Sequence, residues 1–65
     1  MKLTRDKRTG DYYTTDRRYQ IERGTVGWNA NRLHEYRWGS TYEYSFSCDT
    51  LAEVRESLTW IYANT

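Results

Sequence analysis

Few residues in this 65-residue chain have the chemistry for catalysis or metal binding, and their spacing argues against both. His34 is the sole imidazole and Cys48 the sole thiol. His34 and Glu35 are adjacent, with Tyr36 next to them, but neighbours in a strand point to opposite faces and cannot act on one substrate atom. Cys48 lies just before a helix start, a position that can lower a thiol pKa. Without a base beside it, Cys48 reads as a small apolar residue at a strand–helix corner. A structural zinc site takes four Cys or His ligands, which the chain lacks. It also has no phosphate-cradling glycine loop. The expectation is a non-enzyme with no metal and no cofactor.

Two other groups of residues could make a binding surface. Arg18, Gln20, Asn29 and Asn31 are side-chain types that read base edges in a major groove, and alternation puts them on one face of the predicted sheet. Tyr13 and Thr15 can join them. Lys7 and Arg8, with Lys2 and Arg5, could hold phosphates. Glu22 and Glu43 share that face and would repel a nucleic-acid backbone. The second group is aromatic: Trp60, Trp38 and Tyr36, with Glu53 and Glu56 flanking Trp60 on the helix. Exposed Trp and Tyr dominate protein-interface hot spots.

These residues need a scaffold, and the clearest signal for one runs from Tyr42 onward. Tyr42, Tyr44 and Phe46 alternate with Glu43 and Ser45, the mark of a strand with one apolar face. Thr50 and Glu53 have the spacing of a capping box, which predicts a helix over 51–63. At about 100° per residue, Leu51, Val54, Leu58 and Ile61 form one stripe with Tyr62 beside it. That stripe is expected to pack on Tyr42, Tyr44 and Phe46, with Tyr19, Ile21 and Trp28. Trp60 falls nearly opposite the stripe.

Earlier strands are read at 12–15 and 18–23, with a tight turn at Asp16-Arg17. A further strand opens at Val26 or Trp28 and reaches Leu33, which falls on the wrong face unless a bulge intervenes or the strand has ended. Residues 34–37 read either as loop or as strand, with a turn at Gly39-Ser40. Residues 1–10 form a flexible basic arm, and 11–65 a single domain. The predicted fold is therefore α+β: a three- to four-stranded antiparallel sheet with one C-terminal helix packed on one face.

Composition limits what this domain can do. A chain this short buries only about 60% of its unfolded surface. Its aliphatic residues are few, so eleven aromatics, seven of them Tyr, must fill much of the core. That leaves room for a surface but little for an enclosed pocket. Net charge is +1, yet nine basic residues face five acids up to Arg37, and one faces four thereafter. Such a dipole can steer a partner. The lone cysteine and the lack of any long apolar run predict a cytoplasmic protein that does not engage a membrane.

The segment Tyr44-Ser45-Phe46-Ser47-Cys48-Asp49-Thr50-Leu51-Ala52-Glu53-Val54 resembles the strand-to-helix entry of small DNA-binding modules, those of plant AP2 proteins and phage-type integrase amino-terminal domains. That resemblance implies a sheet lying in the major groove, with Arg18, Gln20 and Asn29 on the reading surface. The run from Tyr13 to Arg23, followed by Trp28, resembles small accessory proteins of bacteriophages and actinobacteria. That resemblance implies a binder of a host or phage protein, in the host cytoplasm if phage-encoded. The expected function is a small non-catalytic protein-binding factor, accessory or inhibitory, using Trp60, Glu53, Glu56, Trp38 and Tyr36. Its partner is another protein or a second copy of this chain. The alternative is sheet-mediated DNA binding through Arg18, Gln20, Asn29, Asn31, Lys7 and Arg8.

Overall fold

The computed structural model describes residues 1–64; Thr65, the last residue of the expected domain, lies outside the described residues. The elements run β1 (Leu3–Arg5), β2 (Tyr12–Thr14), β3 (Tyr19–Arg23), β4 (Trp28–Tyr36), β5 (Gly39–Cys48) and α1 (Leu51–Ala63). All strand pairs are antiparallel, and the spatial order follows the chain order. The helix packs on one face of this meander. The α+β class stands, but the sheet has five strands rather than three or four.

The additional strand comes from within the segment expected to be an arm. Leu3 pairs with Thr14 and packs partly buried against the core. The β1–β2 turn is closed by the Asp6 N–H donating to the Asp11 carbonyl at 2.7 Å and the Gly10 N–H to the Asp6 carbonyl at 2.8 Å. The amino terminus donates to the Thr59 hydroxyl and Arg55 donates to the Met1 carbonyl, which ties the start of the chain to α1. A three-residue strand with one apolar side chain shows no alternation to read.

The helix forms where its cap predicts. The Thr50 hydroxyl accepts from the Glu53 N–H at 3.2 Å, and the Glu53 carboxylate accepts from the Thr50 N–H at 3.2 Å. Two of the orphan amides at the helix start are thereby satisfied. Val54 and Leu58 are fully buried against Tyr19, Ile21 and Ala30, with Leu51, Ile61 and Tyr62 at the margin. Each fully buried aliphatic side chain contributes about 1.5–3 kcal/mol. At the other end of the helix, Tyr62 donates to Asp16 at 2.9 Å, and the buried Thr14 hydroxyl donates to the same carboxylate at 2.8 Å. This fastens the end of α1 to the β2–β3 turn, where Arg17 takes a left-handed φ of 64°.

Tyr42 and Tyr44 do not lie under the helix, contrary to the sequence expectation. Ala30 pairs with Phe46 but Asn31 pairs with Tyr44, so Ser45 is an extra residue in β5. One inserted residue flips the alternation. Phe46 and Cys48 therefore face the core, while Tyr42 and Tyr44 turn to the opposite face. Leu33 also lies on that face, paired with Tyr42, and β4 continues past it. There Tyr13 meets Tyr42 edge to face at 5.9 Å, and the Arg17 guanidinium sits 4.6 Å above the Tyr13 ring. Residues 34–36 belong to β4. The turn is Arg37-Trp38, closed by the pair Tyr36 and Gly39, rather than at Gly39-Ser40.

Candidate functional site

The β4–β5 hairpin is much longer than the other strands and extends beyond the end of the helix. Its helix-side face carries Arg32, His34, Tyr36 and Glu43: Arg32 lines a cleft with Tyr19, Ile61 and Tyr62, and Glu43 pairs with Arg32. Three rings stack along this extension. Tyr36 lies on Trp38 at 4.9 Å between centroids with planes 5° apart, and His34 lies on Tyr36 at 6.3 Å and 20°. The Tyr36 hydroxyl donates to Glu43 at 2.6 Å. That bond would be lost on ionisation, so it holds the phenol pKa above its ordinary value, with burial and the glutamate charge adding to the effect. Glu43 also lies 3.9 Å from the His34 ring nitrogen. The stack is thus pinned, yet Trp38 remains 74% exposed.

Trp60 is 67% exposed on α1, away from the buried stripe. It shares a shallow groove with Phe46, Ser47, Cys48, Ser57 and Ile61, where the helix overhangs β5. Its other side opens onto Ala52, Glu56, Thr59 and Ala63. Glu56 is on the Trp60 face; Glu53 is engaged in the helix cap. Trp60 thus lies beside the Phe46–Cys48 end of β5, while Trp38 stands at the hairpin turn that opens β5, stacked on Tyr36 of β4.

Among the described residues, no strand pairs with the outer edge of β5. β5 is the last in the sheet and has β4 alone as neighbour. The backbone geometry identifies its free groups. The Leu33 N–H donates to the Arg18 carbonyl on the β3 side at 2.7 Å, and Leu33 is paired with Tyr42. Directly opposed residues of an antiparallel pair either bond to each other or both turn away. Tyr42 thus directs its N–H and C=O outward, and alternation adds Ser40 and Tyr44. Tyr44 is itself 66% exposed.

The residues expected to read DNA are divided among different settings. Gln20 donates to Asp11 and Tyr13, and Asn31 donates to Gln20 and Glu22. Asn31 is only 7% exposed, so its amide belongs to this network. Asn29 lies on the same face, paired with Glu22 and Ser47. Arg18 sits apart in the β2–β3 turn, 3.7 Å from Asp16, in the cleft with Arg32 and Tyr62. Lys7 and Arg8 are exposed in the β1–β2 turn.

The catalytic candidates are far apart. His34 pairs with Thr41 and Cys48 with Trp28, near opposite ends of the hairpin. At roughly 3.3 Å per residue they are about 20 Å apart. Cys48 is half-buried with its sulfur 3.9 Å from the Ser57 hydroxyl. Among the described residues no group of three or more His, Cys, Asp or Glu could hold a metal ion, and no helix is long and apolar enough to cross a membrane.

Sequence reasoning grouped Trp60, Trp38 and Tyr36 as exposed aromatics, and all three are exposed. It missed the open edge, which depends on which strand ends the sheet, and the groove beside it, which depends on the Ser45 bulge turning Phe46 and Cys48 to the helix side. No protein-family model matches the chain, and no curated protein or solved structure is significantly similar to it.

Proposed function

We propose that this chain is a small non-catalytic binding protein, of an accessory or inhibitory kind, whose partner is a protein. The observation that carries the reading is the pair of exposed indoles, Trp38 and Trp60, bordering an unpaired strand edge. Open edges invite main-chain pairing, and Trp is the residue most enriched in interface hot spots. The engagement of Gln20 and Asn31 with neighbouring side chains favours a protein over DNA, since base readout needs those amides free.

Capture on immobilised protein, with and without nuclease treatment, tests the reading. A protein is retained in both arms by the wild type and lost with Trp38→Ser or Trp60→Glu. Retention that depends on nucleic acid, or that ignores both substitutions, contradicts it.

A further inference from the structure

The exposed edge, the projecting indole and the groove are arranged so that each fits another part of the same surface. We propose that β5 pairs antiparallel with β5 of a second copy of this chain, about a two-fold axis through Tyr42. This deepens the reading of a protein-binding edge and rests on it. The outward groups of Ser40, Tyr42 and Tyr44 then face those of Tyr44, Tyr42 and Ser40 in the other copy. About six main-chain hydrogen bonds form, and the result is one continuous sheet.

The side chains fit the same register. Glu43 stands opposite Thr41 of the other copy, so no like charges meet across the seam. An axis perpendicular to the sheet keeps both helices on one side. Trp38, in the turn on that side, stands just beyond the last regular pair, on the side of Phe46 of the second copy. There it meets the groove formed with Ser57, Trp60 and Ile61. Arg37, beside Trp38, approaches the helix surface on which Glu56 stands next to Arg55. Each copy supplies one indole and one groove, so the contact is made twice.

Two features limit the association to a dimer. The Ser45 bulge ends the regular edge at Tyr44. The opposite edge of the sheet is β1, only three residues long, preceded by Lys2 and ending in Arg5, which does not template further pairing.

Sedimentation equilibrium from micromolar to millimolar concentration tests this on the wild type, Trp38→Ser, Trp60→Glu and Ser40→Pro. Both indoles are exposed, and the proline removes only an outward N–H, so circular dichroism is expected to show all three variants folded. The wild type reaches twice its 7.9 kDa mass. Each Trp substitution weakens the dimer by roughly thirtyfold or more, and Ser40→Pro also weakens it. A wild type that stays monomeric at millimolar concentration, or folded Trp variants that dimerise as the wild type does, overturns the proposal. A monomer that still captures another protein through Trp38 and Trp60 refutes self-pairing alone. A monomer whose capture ignores both indoles refutes the protein-binding reading as well.

Discussion

Gly27→Ala is predicted to be among the most damaging single-methyl additions in the chain. Gly27 holds φ at +81° in the turn between β3 and β4. A Cβ there would stand 2.3 Å from the Cys48 carbonyl oxygen and 3.0 Å from the Asp49 Cα. Both are backbone atoms at the corner where β5 gives way to α1, so neither can rotate aside. The left-handed conformation alone costs an alanine about 1–2 kcal/mol. Forcing the turn off the corner adds about 1–3 kcal/mol by the usual range for overpacking. The expected loss is about 2–5 kcal/mol, against a total stability of roughly 3–10 kcal/mol for a domain of this length. A loss of about 3 kcal/mol corresponds to a fall in Tm of roughly 12–24 °C. Gly24 is the control: a Cβ there meets the Asn29 side-chain amide at 3.0 Å, which can move. Thermal melts followed by circular dichroism compare the two. Gly27→Ala melting with the wild type, or Gly24→Ala falling as far, would refute this account of the corner.

Leu58→Ala removes a fully buried side chain from the centre of the helix–sheet contact and costs about 2–5 kcal/mol, while Trp60→Ala costs under about 1 kcal/mol; urea titration showing the reverse order would mean that the helix phase is wrong. Thr50→Ala removes the hydroxyl that accepts from the Glu53 N–H, leaving only the backbone half of the capping box, and lowers stability by about 1 kcal/mol, read in the same titration. Burial alone would raise the Asp16 pKa. The Arg18 N–H, the Thr14 and Tyr62 hydroxyls and the Arg18 charge outweigh it and hold the pKa below the ordinary carboxylate value of 3.8. The unfolded chain therefore takes up this proton first. The stability Asp16 contributes is present above pH 4 or so and is lost as pH falls through the lowered pKa. Tyr62→Phe raises the Asp16 pKa and flattens that part of the acid-unfolding profile, which carboxyl NMR titration reads directly.

The helix and its phase were legible because two independent signals, the Thr50–Glu53 box and the stripe from Leu51 to Ile61, are local and agree. The turn at Asp16-Arg17 was legible as well, although only coordinates show that Arg17 takes the left-handed φ itself. What sequence could not supply was non-local. Leu3 gave one apolar position, too few for a period. The alternation of Tyr42, Tyr44 and Phe46 looked regular, yet the bulge at Ser45 splits it between faces. Strict alternation would have put Tyr44 on the helix side with Phe46, whereas the edge itself is open because β5 ends the sheet. Among the candidate site residues, Trp60 and Trp38 were recognisable by position. The use of Gln20 and Asn31 in internal hydrogen bonds was not, because it requires the register of three strands.

Backbone amide hydrogen exchange followed by NMR tests the open edge of β5 residue by residue. In dilute solution the Thr41 and Glu43 amides, directed at β4, are expected to be protected, while those of Ser40, Tyr42 and Tyr44 exchange freely. As concentration rises and the chain associates, those three amides become protected together. Association that leaves them exchanging at monomer rates, or that protects another part of the surface instead, would contradict the account.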